Sequence, residues 1–482
     1  MAAKKVFALD LGTNSIKCLS LANQNNHYVV ERLAISPLPP AEIDKSNPLK
    51  HKEIYVQTIR KTIKEAKLSN IKNVIFSISG DFVVIRFIAF QKMDRAELNQ
   101  AIINEAEQYI PFNINDVVIS ADIVAASNKN DSSKMDIIMA AGKKFVIQQY
   151  LEIIESAGLN PYAVDTDVSA LSNLYRVIKP YKESDDIVAL INIGAFNTVL
   201  ILFDKDQPVF SRDIGLGGDN ITKIIENDFS CGLLNAETFK KKYAKIKPEI
   251  AKKSLLDLDI ITAKPKPQII PKIPIPSSRL KPIIKPEPAV IKETEPVKEI
   301  KVQEQESKKP LILTPSPPPP PQKIDGDFKH LVSDIAAETK SEPKAIDDIF
   351  IKIGRIKKPP SIEGGSGKIV DIKNIKEEEI VADIGIVLSL LLPQIINDIT
   401  RSMNYYESQN KGRKITRMFI TGGSSNIEGL FEFLSQRLGI PVERLNIKDF
   451  FLIKNNGDSD KYTGIISSLP VALGIGLRAL EG

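Results

Sequence analysis

The chain's 482 residues carry a net charge of only +5 and are 43% hydrophobic. That length exceeds what one core holds, so more than one domain is expected. The charge is too slight, and basic patches interleaved with aromatics too absent, to indicate a nucleic-acid partner, and no apolar run reaches the roughly eighteen residues that cross a bilayer.

From the N-terminus, Lys5–Leu9 reads as a strand closed by Asp10, not as a secretory leader, which needs an unbroken apolar run; a cytoplasmic location is expected. Ser15–Leu21 and His27–Ala34 are predicted strands. Tyr55–Lys67 is a predicted amphipathic helix with Ile59 and Ile63 one turn apart. Asn73–Ser79 and Phe82–Phe90 are strand patterns. Arg95–Tyr109 is helical and stopped by Pro111. Val117–Asp122 and Met135–Ala141 are strands, and Lys144–Ala157 is a helix closed by Gly158. Asp165-Thr166-Asp167 precedes a short helix. The order is βββαβ with a small β-α-β-β unit spliced in at 81–142. The pattern then restarts: strands at Ile187–Ile193, Thr198–Phe203 and Gln207–Ile214, and a helix at Asn220–Phe229.

Composition changes abruptly after residue 247. Of 31 prolines, 20 fall between Pro248 and Pro360, a density that excludes helix and central strand and favours extended, mostly disordered chain. Two patches inside it, Asp325–Ala337 and Ala345–Ile351, could order, as partner-docking motifs or as parts of a fluctuating linker. Regular structure resumes with a helix at Ile384–Tyr406 containing Pro393, a strand at Ile415–Thr421, a helix at Ile427–Leu438 and a last helix at Val471–Leu480. Cys18 and Cys231 could form one disulfide, but reduced core thiols are expected. His27, His51 and His330 have no metal-like spacing.

The chemistry concentrates at turns. In Asp10-Leu11-Gly12-Thr13-Asn14-Ser15, a carboxylate at a strand end can hold Mg2+ through water. Gly12 admits close backbone approach, and the N–H groups of Thr13, Asn14 and Ser15 can form an anion nest. Lys17 shares a face with Ser15 and would reach a terminal phosphate. A plain hairpin turn accounts for this segment equally well. Asn192-Ile193-Gly194-Ala195-Phe196-Asn197-Thr198 repeats the geometry: polar residue, Gly two later, hydroxyl six later. Two such hairpins facing each other would clamp a triphosphate. Gly422, Gly423 and Ser424, between a strand and a helix, would leave room for base and sugar, with Gly217 and Gly218 opposite, ahead of another helix.

This order of turns resembles the actin–sugar kinase–Hsp70 superfamily and, within it, the PilM family of type IV pilus assembly proteins. The resemblance rests on Phe7-Ala8-Leu9-Asp10-Leu11-Gly12 with Ser15-Ile16-Lys17, and on Glu105-Ala106-Glu107-Gln108-Tyr109-Ile110-Pro111-Phe112. It continues through Phe210-Ser211-Arg212-Asp213-Ile214 into Gly217-Gly218-Asp219, and Arg401-Ser402-Met403-Asn404-Tyr405-Tyr406. It ends with Thr421-Gly422-Gly423 and Leu469-Pro470-Val471-Ala472-Leu473-Gly474. It implies an α/β, two-lobed, actin-like (ribonuclease H-like) fold. Residues 1–80 plus 143–183 would form the first lobe, 81–142 an inserted subdomain of the FtsA and PilM type, 184–247 plus 382–482 the second lobe, and 248–381 a long disordered insertion.

The resemblance further implies ATP and Mg2+ as cofactors. It implies a PilN-like inner-membrane protein whose cytoplasmic tail meets the 81–142 side, with pilus motor ATPases and self-association as further contacts. The protein would be peripheral at the inner membrane through its partners. FtsA ends in an amphipathic helix that the sequence here, ending at Glu481-Gly482, does not show, which favours PilM. The second phosphate turn of the superfamily begins with aspartate; here it begins with Asn192, so hydrolysis is expected to be slow or absent. Asp167 is the nearest other acidic candidate for a base or water-positioning role. A small-molecule kinase and an FtsA-like polymerising division protein are the alternative readings.

Overall fold

Side chains that alternate from one face of a strand to the other decide how the N-terminal part folds. A computed structural model describes residues 5–25, 27–39, 48–68, 72–125, 131–180, 187–246, 377–454 and 465–481. Strands β1 (Lys5–Leu11), β2 (Ser15–Gln24) and β3 (His27–Pro37) form an antiparallel meander, and β1 then pairs in parallel with β4 (Asn73–Ile78). Leu9 and Ile16 turn to one face, against α1 (Lys52–Glu65) and α3 (Lys144–Ser156), where they pack with Tyr55, Ile59 and Ile153. Ala8, Leu19 and Leu21 turn to the other.

A small three-stranded sheet interrupts this unit. β5 (Val83–Gln91), β6 (Val117–Ala125) and β7 (Lys134–Lys143) pair in the order β5-β7-β6. α2 (Arg95–Glu105) begins at Asp94, whose Oδ1 accepts the N–H groups of Ala96 and Glu97 at 2.8 Å each, an N-cap. Leu98 and Ile102 of α2 pack on Ile137 and Met139 of β7.

The first large sheet is completed by strands with little sequence signal. Asn160–Thr166, which has no apolar alternation, is β8, the edge partner of β4. The second large sheet holds β9 (Ile187–Ile193), β10 (Thr198–Asp204), β11 (Gln207–Ile214), β12 (Ile415–Thr421) and β13 (Val442–Arg444), in the order β11-β10-β9-β12-β13. Its outer face carries α5 (Gly218–Phe229), α6 (Leu233–Tyr243), α7 (Glu377–Gln409) and α8 (Leu430–Leu438).

The assignment of all of 382–482 to the second lobe is corrected by the structure. β14 (Phe451–Ile453) pairs in parallel with β3, so the first sheet runs β14-β3-β2-β1-β4-β8. The last helix, α9 (Pro470–Glu481), joins α4 (Asp167–Ile178) in one core that also draws on both large sheets. That core combines Leu171 and Leu174 of α4, Leu473 and Ile475 of α9, Leu21 of the first sheet and Leu190 and Ile201 of the second. Tyr175 of α4 stacks on Phe203 of β10 with ring centroids 3.8 Å apart, the kind of contact that adds about 1 kcal/mol beyond its buried area.

Every described residue belongs to one compact unit. The expectations for Asp325–Ala337, Ala345–Ile351 and nearly all of 248–381 lie outside the described residues. The exception is the end of that span: α7 starts at Glu377, so the predicted helix begins seven residues earlier than Ile384 and includes Pro393. Both cysteines are free. Cys18 is fully buried, and burial pushes its thiol up to about 12. Cys231 is only partly buried beside the second-sheet core, because it follows α5 and is not on one of its apolar positions.

Candidate functional site

The three turns singled out in the sequence line one cavity of about 900 Å³. From the first sheet come Asp10, Gly12, Thr13, Asn14, Ser15 and Lys17. From the second come Asn192, Gly194, Ala195 and Asn197, then Gly422, Gly423 and Ser424. Asp167, at the first turn of α4, lines it too.

Pairing between β1 and β2 sets the first turn. Asp10 lies opposite Lys17 in the register, and the ammonium is 3.1 Å from the carboxylate with both side chains about nine-tenths covered. A Cβ on Gly12 would sit 2.8 Å from Lys17 Nζ and 2.9 Å from the carbonyl of Ser15, so that position must stay bare. The second turn is closed by Gly194 N–H donating to Asn197 O at 2.9 Å, while Asn197 Nδ2 donates to Asp213 at 3.0 Å. The third needs glycine at 422: φ is +94°, and a side chain would fall 2.3 Å from the carbonyl of Ile193. Gly422 N–H donates to Ser467 O at 2.8 Å, which fastens this turn to the segment entering α9.

Three predicted residues do not reach the cavity. Thr198 is buried, its hydroxyl donating to Leu216 O at 2.7 Å. Gly217 and Gly218 lie behind the second turn. The N–H groups of Gly218 and Asp219 donate to the carbonyls of Gly194 (3.0 Å) and Ala195 (2.8 Å), so these two donors of the helix start are taken by backbone. Their bareness serves packing: a Cβ on Gly217 would meet Ala195 O at 2.5 Å, and one on Gly218 would meet Ser424 Oγ at 2.3 Å.

Four ionisable cavity residues escaped the sequence reading: Tyr150 of α3, and Glu237, Lys240 and Lys241 of α6. Lys240 Nζ is 2.6 Å from Glu237 Oε2 and donates to Thr222 Oγ1 at 2.8 Å and Gly218 O at 3.0 Å. Burial raises the Glu237 carboxyl, but the Lys240 ammonium, hydrogen bonds donated to it by Lys240 and by Thr222 Oγ1 (2.7 Å), and the charge of Lys241 outweigh it and hold the group below its ordinary range. The available signal was Glu237 three and four residues before Lys240 and Lys241, a spacing that stacks charges on one helix face.

Asp167 lies beside Asp10 at the carboxyl ends of β1, β4 and β8, where open α/β sheets collect ligands. Its carboxyl is raised to about 7, first by burial and then by the charge of Asp10, against the pull of hydrogen bonds from Ser77 and Ser79. The folded protein therefore holds this proton more tightly than the unfolded chain, and the group's contribution to stability declines as pH rises from about 4 to about 7 and is level above that. In ligand-free protein, Asp167→Asn is expected to match the wild type near pH 4 and to melt progressively higher than it up to about pH 8. Melting curves across that range test this, and a difference that does not vary with pH would contradict it.

Among the described residues no cluster of three or more His, Cys, Asp or Glu forms a direct metal cage. The donor set suits a hydrated cation instead, with two neighbouring carboxylates, beside three lysines suited to a polyanion. No described helix is long and apolar enough to cross a membrane.

Comparison with known proteins agrees with this architecture. The family model for type IV pilus assembly protein PilM matches residues 8–256, and that for cell division protein FtsA matches residues 189–463. A chain of a PilM–PilN type IV pilus biogenesis complex is 18% identical, with 99% of both chains covered and a TM-score of 0.62. The ethanolamine utilization protein EutJ of Carboxydothermus hydrogenoformans is 10% identical over 99% of this chain and 90% of its own, at a TM-score of 0.38. The two lobes are thus those of the actin-like superfamily that includes PilM and FtsA, and this fold implies a nucleotide site in general.

Proposed function

The chain belongs to the family of type IV pilus assembly protein PilM, and from that premise we propose that it is an ATP- and Mg2+-binding adaptor of a pilus or related secretion platform at the cytoplasmic face of the inner membrane. Its partner there is the cytoplasmic tail of a PilN-like membrane protein, received on the side of the small sheet. The carrying observation is the cavity walled by turns from both large sheets, with Lys17, Lys240 and Lys241 around it.

When bound, the Mg2+–nucleotide would supply the charge that draws the lobes together. The chain's own part is positional. Backbone at Gly12–Ser15 and Gly194–Asn197 would hold the phosphates, and Lys17 stands with Asp10. Glu237 and Lys241 line the cavity from α6 and would be available to the sugar, and Gly423, with no atom within 4 Å of where a Cβ would stand, would leave flat room for the base. One feature argues for slow or absent hydrolysis: Asn192 offers an amide where the superfamily has a carboxylate. The hydrogen bond from Gly422 to Ser467 couples the cleft to α9, and through it to the first sheet, giving a route by which lobe closure alters the partner face.

Calorimetric titration with Mg2+ and ATP, with and without a synthetic peptide of a PilN-like tail, tests the reading. Saturable binding of both with little phosphate released is expected. Fast turnover without peptide binding would return the chain to the kinase reading and to Asp167 as base. The match to FtsA favours a second reading, a protein that polymerises. Sedimentation of filaments with ATP on lipid vesicles, with no partner added, would support it.

A further inference from the structure

The third turn is built from the least constrained chain in the cleft. Gly422 and Gly423 have no side chains to hold them, and the 3-10 turn that follows, Gly423–Asn426, is too short to fix itself. Its shape is set by what packs around it. Ser425 is fully buried, and its hydroxyl donates to Gly422 O at 2.8 Å. Arg444 of β13 does not line the cavity but reaches the turn with its guanidinium. Nη1 donates to Asn426 Oδ1 at 3.0 Å, and Nη2 to Ser425 O at 3.4 Å. The guanidinium carbon lies 4.9 Å from the centre of the Phe431 ring of α8, a contact that holds the fork over an aromatic face.

Asn426 is where this support meets the wall of the cavity. A guanidinium donates and cannot accept, so the carboxamide must turn its oxygen to Arg444 and its NH2 away from it. That NH2 donates to Ser467 Oγ at 2.9 Å. Ser467 is itself buried, and its carbonyl accepts the Gly422 N–H at 2.8 Å and the Thr421 hydroxyl at 3.1 Å. Ile465 and Ser468, on either side of it in the chain, line the cavity. One arginine thus decides which way an amide points, and that amide helps clasp the third turn to the segment entering α9. A lysine at 444 would bring the charge without the planar fork that spans Asn426 and Ser425.

We propose that Arg444 is a positioning residue for the base-and-sugar end of the cleft: it orients Asn426, so that the wall made by the third turn and the Ile465–Ser468 segment is set before a nucleotide arrives. This rests on the nucleotide reading above and concerns the same site.

Arg444→Met keeps an unbranched stem over Phe431 and removes the fork. The informative quantity is the ratio of the affinity for ATP to that for inorganic triphosphate, both in Mg2+, measured by calorimetry on the full chain. Triphosphate carries the anionic charge without base or sugar. In Arg444→Met the affinity for ATP is expected to fall about tenfold, the size of one lost charge-assisted hydrogen bond, with the affinity for triphosphate unchanged. Arg444→Lys is expected to fall with it. In an Asn426→Ala background, Arg444→Met is expected to lower ATP affinity no further, because the one residue acts through the other. A merely structural arginine would lower both affinities together or neither. An unchanged ratio in Arg444→Met overturns the proposal, as does wild-type affinity in Arg444→Lys or a full further fall in the Asn426→Ala background. Wild-type protein that binds triphosphate as tightly as ATP overturns this inference alone. Wild-type protein that binds neither overturns the nucleotide reading with it, and that failure is recognisable because it appears before any substitution is made.

Discussion

Gly474→Ala should unfold the protein more readily than almost any other single-methyl insertion, by more than about 3 kcal/mol, the upper end for overpacked cores. A Cβ at 474 would lie 1.8 Å from the carbonyl oxygen of Ala170 and 2.4 Å from its carbonyl carbon. Those are backbone atoms inside α4, so no side chain can turn aside, and α9 would have to leave its place between the two large sheets. Gly476, two residues on, makes the comparison. A Cβ there meets the side chain of Leu21 at 3.1 Å. That side chain can shift by a few tenths of an ångström, and alanine gains up to about 1 kcal/mol of helix propensity over glycine. Urea unfolding is expected to show Gly476→Ala within about 1 kcal/mol of wild type and Gly474→Ala far below it. Similar midpoints for the two would mean that α9 is not wedged against α4 as described.

The same helix shows where sequence reasoning reached and where it stopped. Leu469-Pro470-Val471-Ala472-Leu473-Gly474 was legible as a helix start, because proline suits the first turn and the apolar residues follow. Its destination was not. α9 is apolar on several faces because it is enclosed by α4, β1 and β2, and periodicity carries no record of which sheet does the enclosing. β14 has only three residues, and its pairing with β3 is a long-range choice that no local pattern specifies. β8 escaped for the opposite reason: Asn160, Tyr162, Ala163 and Val164 are exposed, so the alternation that marks a half-buried strand is missing, and Pro161 reads as a breaker.

The site divides along similar lines. Turns announce themselves through glycine, since Gly12, Gly194 and Gly422 stand where backbone passes too close for any Cβ. Gly217 and Gly218 use that signal for packing instead, and sequence cannot separate the two uses. Tyr150, which reaches the cavity from a helix face, carries no local mark at all.

Lys240→Met should be a damaging loss of a charge, because it strands a carboxylate. The Lys240 side chain is about nine-tenths covered and so is that of Glu237. Without the ammonium, Glu237 retains the hydroxyl of Thr222 at 2.7 Å and Lys241 at 3.2 Å, a lysine that is largely in water and screened. Breaking one half of a buried pair costs about 3 kcal/mol, and the partial cover from Lys241 should place the loss near 2–3 kcal/mol. The pH dependence identifies the cause. In the wild type Glu237 is held below its ordinary range, so its contribution is present above about pH 4.5 and is lost as pH falls through the lower, folded value. In Lys240→Met, burial is expected to outweigh what Thr222 and the exposed Lys241 still supply and to raise the group, which reverses the sign: the variant should be closest to wild type in acid and weakest at alkaline pH. The double variant Glu237→Gln with Lys240→Met removes both charges, leaves an amide that can still accept from Thr222, and should recover most of the stability at about pH 8, since a neutral pair of similar size replaces an ion pair at little cost. Nucleotide affinity should not recover with it, because both side chains line the cavity. Recovery of stability together with affinity would mean that α6 supports the cleft only as scaffold; recovery of stability alone would show that the buried pair serves the ligand and is retained for that reason.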